Sequence, residues 1–222
     1  MFRRTITLAG ATLLLLLAPS VVGAQAVDPG LLSDLSYRFI GPDGNRTIAV
    51  MGEPGNPLVM YVGAASGGLW KTEDGGMGWS SIFDDVEVSS VSAVAMAPSD
   101  PNVIWVGTGE TFLIRPAHAM GDGIYRSTDA GKSWRRMGLE ATGRIARVRI
   151  DPRDARVVFA CALGHAYGPQ PERGVYRTLD GGESWEQVLH VSEDAGCVDL
   201  AMDPKNPRIL YAGFWDIQID TW

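Results

Sequence analysis

Three copies of one eight-residue motif constrain this chain more than any other feature. They run Thr72–Trp79, Ser127–Trp134 and Thr178–Trp185, each fitting S/T-x-D-x-G-x-x-W, with aspartates Asp74, Asp129 and Asp180 spaced 55 and 51 residues apart. A motif returning at that interval marks stacked supersecondary units, either propeller blades or a solenoid. A second pattern accompanies it and extends to a fourth copy: Val50–Gly63, Val94–Gly107, Val148–Cys161 and Leu200–Gly213 align without gaps. The alignment puts Pro57, Pro101, Ala155 and Pro207 in register, and likewise Gly63, Gly107, Cys161 and Gly213. Each copy reads as an alternating strand, a Pro/Asp/Asn turn and an apolar strand rich in Val, Ile and aromatics. Proline presets φ for such a turn, and Asp or Asn satisfies its backbone donors.

A short third strand precedes each box and a fourth begins at its tryptophan. Four antiparallel strands per unit with no competing helical period is a propeller blade. The expected fold is therefore all-β, an incomplete β-propeller of about three and a half blades. They are 46–83, 90–137, 144–189 and a partial 196–222, and the chain reads as the N-terminal part of a larger propeller. Residues 27–45 form an N-terminal segment, in which Ser36–Pro42 offers an outer strand for a closing blade. An open arc leaves sheet edges unpaired, so the remaining blades of a longer chain, or self-association into a ring, are the expected completions.

The first 26 residues read as an export signal: Arg3 and Arg4, an apolar stretch centred on Ala11–Ala18, then Ala24-Gln25-Ala26 before a cut. The apolar run is short for a membrane span, which needs about 20 residues. The expected location is periplasmic or extracellular, with no membrane attachment after cleavage. Losing Arg3 and Arg4 takes the formal charge from −7 to −9. An acidic chain of this kind is a poor partner for nucleic acid or anionic lipid. Export permits a disulfide between Cys161 and Cys197; two buried free thiols are the alternative.

The boxes read as fold devices. Their aspartates accept turn amides, their glycines (Gly76, Gly131, Gly182) tolerate positive φ, and their tryptophans (Trp79, Trp134, Trp185) fill the seam between sheets. Together with the opening Gly41–Val50 segment, the blocks Gly67–Gly76 and Gly174–Trp185, and the loops Gly107–Glu110 and Ala162–Pro169, these motifs resemble Asp-box (BNR) repeats. Such repeats occur in sialidases, xyloglucan-active glycosidases and the sortilin family's luminal propeller. The likeness is nearest to exported bacterial proteins labelled glycosyl hydrolase or sortilin-N-terminal-like, and it covers about residues 36–222. It implies fold rather than activity, since this repeat serves enzymes and receptors alike.

Loops joining second to third strands share a face with the blade-to-blade links, opposite the boxes, and carry the insertions. Ionisable groups gather there: Glu110, Arg115, His118 and Asp122 in blade two; His165, Glu172 and Arg173 in blade three; and Asp84, Asp85, Glu87, His190, Glu193 and Asp194 in the links. One-sided insertion marks a binding surface. Arg46 and Arg144 share a register position at the start of an innermost strand. There they either grip a carboxylate or phosphate or pair with an acid of the same face. Trp105, Tyr167, Phe214 and Trp215 offer stacking surfaces unless the blades bury them. Ligand-binding candidates are thus Arg46, Arg144, His118, His165 and Trp215, for a glycan or an extended peptide. Glycoside hydrolysis needs two carboxylates across a cleft, for which Glu110 with Asp85 or Asp122 are the candidates. The three histidines lack metal-ligand spacing, and no cofactor or metal is expected. A glycan- or peptide-binding module is the leading reading, with part of a glycoside hydrolase or a non-catalytic scaffold as alternatives.

Overall fold

A computed structural model describes residues 28, 30, 41–42, 46–111 and 119–217. The export signal, residues 36–40 of the proposed closing strand, Arg115 and His118 lie outside the described residues. Residues 39–222 form one compact unit, to which the following applies.

Among the described residues fourteen strands follow one another in meanders. β1 (Thr47–Glu53), β2 (Asn56–Ala64), β3 (Leu69–Thr72) and β4 (Ser80–Ser81) make the first antiparallel sheet. The second holds β5 (Val91–Ala97), β6 (Asp100–Thr108), β7 (Ile124–Ser127) and β8 (Arg135–Arg136). The third holds β9 (Ile145–Asp151), β10 (Asp154–Ala162), β11 (Gly174–Thr178) and β12 (Glu186–Leu189). β13 (Ala195–Met202) and β14 (Leu210–Asp216) form a two-stranded sheet. The innermost strands stand side by side, β1 against β5, β5 against β9 and β9 against β13. The described residues are thus three full blades and the inner half of a fourth, an incomplete β-propeller.

Each first hairpin turn is ordered by an acid or amide side chain two residues before its target. Asn56, Asp100, Asp154 and Asn206 accept from the backbone N–H of Leu58, Asn102, Arg156 and Arg208 at 3.3, 3.0, 3.0 and 3.3 Å. In the three full blades, the carbonyl of that same target holds the box. Gly75, Ala130 and Gly181 donate to the Leu58, Asn102 and Arg156 carbonyls at 2.9, 3.0 and 3.0 Å. The two repeated patterns are therefore one device, in which the inner hairpin turn anchors the outer turn of its own blade.

Inside each box the hydroxyl of Thr72, Ser127 or Thr178 donates to the aspartate at 2.7 Å. The same oxygen accepts the N–H of Gly76, Gly131 or Gly182 at 2.9, 2.8 and 2.9 Å. The aspartate in turn accepts the amide four residues on, from Gly78, Ser133 or Ser184.

The core lies in the seams between blades. Trp134 Nε1 donates to the Ile82 carbonyl and Trp185 Nε1 to the Met137 carbonyl, each at 2.7 Å and each reaching into the preceding blade. Phe83 packs edge-on against Tyr125 and Trp134, and Trp105 edge-on against Trp185 with ring centres 6.0 Å apart. Such aromatic pairs contribute about 0.5–1.5 kcal/mol beyond the area they bury. Nearer the axis, Gly63 and Gly107 let the next inner strand approach. A Cβ on either would lie 2.6 Å from Val91 Cγ1 or Ile145 Cγ2 respectively. At the matching place in the third seam stands Cys161, bonded to Cys197, with Cα atoms 5.2 Å apart. The disulfide substitutes a covalent link for a glycine-to-branched-chain contact.

Candidate functional site

The site begins with a defect repeated in every inner strand. Pairing slips by one residue between Thr47 and Ala49, between Val91 and Ala93, and between Cys197 and Asp199, and β9 slips at the same register position. The residues left over are Ile48, Ser92, Ala146 and Val198. A bulge re-aims its extra side chain, and here the four aim at a shared surface. Ile48, Ala146 and Val198 line a concavity of 490 Å³ together with Arg46, Thr111, Arg147 and Leu163. Ile48 and Ser92 continue into a second hollow of 270 Å³ whose wall includes Arg147 and Arg149. Ser92 also ties two blades, its hydroxyl donating to the Ile145 carbonyl at 2.6 Å.

Above the first concavity the inserted loop of blade two meets both register-matched arginines. Glu110, 3 % exposed, receives the Arg46 guanidinium on its carboxylate. Its carbonyl accepts Arg144 Nε at 2.9 Å, and Arg144 Nη1 reaches the Gly164 carbonyl at 3.2 Å. The two arginines thus do different work. Arg46 stays partly open and borders the concavity. Arg144, 2 % exposed, gives its donors to carbonyls, and burial lowers its pKa against the opposing pull of Glu110. Position alone does not separate them; the neighbouring loops do.

The other proposed acid partners sit apart in their bonding. Asp122 accepts Tyr125 Oη at 2.6 Å and Arg136 at 3.3 Å, and its backbone N–H donates to Thr108 Oγ1 at 3.0 Å. Burial first, and that hydrogen bond second, raise the Tyr125 pKa. Asp85 is exposed in the link after blade one. Glu110 is held by Arg46 and Asp122 by Arg136 and its own strand partners, so these two acids do not share a cation.

Blade three presents its loop differently. Gln170 accepts the His165 N–H at 2.6 Å and donates to the Ala141 carbonyl at 2.7 Å, while its own N–H reaches the Glu193 carbonyl at 2.8 Å. Buried Arg173 donates to the carbonyls of His165 at 2.9 Å, Gly168 at 3.1 Å and Asp194. Desolvation lowers its pKa, opposed by Asp194 and Asp216. The rigid stem holds His165 and Tyr167 outward, both exposed, and Tyr167 is close enough to act on the Arg144 charge.

The aromatic candidates divide. Trp105 is 0 % exposed and belongs to the core between blades two and three, so it is no stacking surface. Phe214 packs against the third core cluster. Trp215 is 46 % exposed, on β14. Sequence reasoning passed over Arg147, Arg149 and Asp199, although the gap-free register marks them. Arg147 stands where Ala49 and Ala93 stand in other blades, and Arg149 where Met51 and Ala95 do. Among the described residues no group of three His, Cys, Asp or Glu is arranged to hold a metal.

No family model matches the chain. Curated relatives include xyloglucanase Xgh74A of Acetivibrio thermocellus, 25 % identical over 188 residues that make up 77 % of this chain and 21 % of that protein. A xyloglucanase of Hypocrea jecorina is 28 % identical over 185 residues, 71 % of this chain and 21 % of that protein. Among solved structures, an ancestral GH74 enzyme superposes with a TM-score of 0.63 at 22 % identity, covering 82 % of this chain and 23 % of that one. The chain therefore spans about a fifth of the length of the relatives it matches. These likenesses agree on a glycoside-hydrolase-related β-propeller segment.

Proposed function

We propose that this chain is an exported glycan-binding segment of an Asp-box propeller, acting through the loop face above its inner strands. The observation that carries the reading is the concavity lined by the bulge residues and Arg46, beside a loop whose buried Gln170 and Arg173 hold Tyr167 outward. A rigid stem under an exposed aromatic suits stacking on a sugar ring, since little freedom is lost on binding. The xyloglucanase relatives support a glycan over a peptide and make xyloglucan the first polysaccharide to try. The sortilin-like resemblance belongs to the same group of repeats and adds no site of its own.

Binding without turnover is the expected outcome, because a general acid must reach the leaving oxygen of its substrate, whereas the Glu110 carboxylate is buried against Arg46. Isothermal titration of the chain with xyloglucan should show saturable binding and no release of reducing sugar. Tyr167→Ala should weaken that binding about twofold to twelvefold at unchanged melting temperature, the scale of one lost aromatic contact. Sugar release that Glu110→Gln abolishes would replace this reading with a hydrolase.

A further inference from the structure

The inner wall carries a concentration of positive charge that the chain's composition does not predict. Arg147 and Arg149 leave β9 at alternate positions and therefore on one face, about 7 Å apart along the strand. One carboxylate stands near them and bonds only the first. Asp199 on β13 accepts Arg147 Nε at 2.8 Å, while Arg149 Nη1 turns back to the Val148 carbonyl at 3.2 Å. Among the described residues Arg149 has no ion pair. Arg46, ion-paired with Glu110, continues the row at the mouth. The two hollows share Ile48 and Arg147, so they form a continuous surface, and among the described residues no Asp or Glu lines either. This arises in a chain of net charge −7.

We infer that this inner wall binds the carboxylates of an acidic polysaccharide, a chain whose sugar units carry uronate groups, through Arg147, Arg149 and Arg46. The inference rests on the glycan reading above and narrows it. A guanidinium presents paired N–H donors that match a carboxylate's two oxygens. Arginines repeated along a strand suit a ligand that repeats its charge, and half-buried Ile48 and Val198 give apolar area for ring faces. Asp199 occupies part of this cation surface and competes with the ligand for Arg147.

The test compares polygalacturonate with its methyl ester, which keeps the same backbone and masks the carboxylates, alongside xyloglucan, all titrated into the full chain. The free acid should bind about tenfold more tightly than the ester, the scale of one charge-assisted pair, and salt should narrow the gap. Arg149→Gln should bring the acid down to the level of the ester. Asp199→Asn should raise affinity for the acid by releasing Arg147, a gain that damage to the fold does not produce. Equal binding of acid and ester, with xyloglucan still bound, overturns the inference and leaves the glycan reading standing. Loss of binding to all three polysaccharides overturns both. Tighter binding of an acidic peptide than of polygalacturonate overturns the choice of a uronate chain.

Discussion

One hydroxyl separates the three box aspartates. Asp129 and Asp180 each accept a serine Oγ, from Ser133 and Ser184, at 2.6 Å. Asp74 has Gly78 at that position and accepts only its amide there. All three carboxylates titrate below the ordinary 3.8, led in Asp129 and Asp180 by the serine hydroxyl and in Asp74 by the Gly78 amide. Asp129 comes down to about 2. A carboxylate with a depressed folded pKa lends stability that is complete above its unfolded value and lost as pH falls through the folded one. For Asp129 that window runs from about pH 4 down to about 2. Ser133→Ala removes the largest cause, so the Asp129 pKa should rise toward 3.8 and acid loss of stability should begin at higher pH. Urea midpoints measured from pH 5 to pH 2 would register this. A pH dependence identical to that of the parent would mean that the hydroxyl does not tune the box.

At the scale of elements, the blade repeat tolerates a change of chemistry at a fixed place. Gly63 against Val91, Gly107 against Ile145 and Cys161 against Cys197 occupy equivalent points of successive seams. The chain-entropy model gives a bridge of separation 36 about 3–4 kcal/mol. Cys161→Gly with Cys197→Ile restores the pattern of the other two seams. That double variant should melt below the oxidised parent and above the Cys161→Ala, Cys197→Ala pair, because it refills the seam that alanines leave underpacked. Differential scanning calorimetry ranks the three, and a double-alanine form at least as stable would show that the seams are not interchangeable. This equivalence is also why the fold could be read from residues. Turn prolines, box glycines and seam aromatics are each demanded by local geometry, so they recur visibly at one spacing. The site is less legible. Arg46 and Arg144 look identical in register, yet Glu110 takes one by its carboxylate and the other by its carbonyl. That distinction depends on where an inserted loop settles, which no period records. Arg147 and Arg149 read as ordinary solvated strand charges until β13 is placed beside them with a single aspartate.

At the scale of the molecule, the fourth sheet is the exposed flank. Tyr61, Trp105, Phe159 and Tyr211 share one register position. The first two are buried under the following blade, whereas Tyr211 is 66 % exposed, and Trp215 stands two positions along the same face from Gly213. Among the described residues β14 has β13 as its only ladder partner. Unpaired edges beside apolar faces promote association between chains. Light scattering should therefore show concentration-dependent growth in mass for the isolated chain. Tyr211→Lys should reduce it, as edge lysines do in natural sheets; a monodisperse monomer at all concentrations would show that the flank is already protected.

The reach of each box tryptophan also has a direction. Trp134 and Trp185 bond to carbonyls made before them, at Ile82 and Met137, and Gly131 and Gly182 settle on Tyr61 and Trp105. In a chain that emerges from the ribosome with its N-terminus leading, every latch thus arrives after its strike plate. A nascent chain leaves one seam aromatic uncovered at a time, first Tyr61 and then Trp105, and each new blade shelters its predecessor. Vulnerability during synthesis stays one blade deep however many blades are strung together.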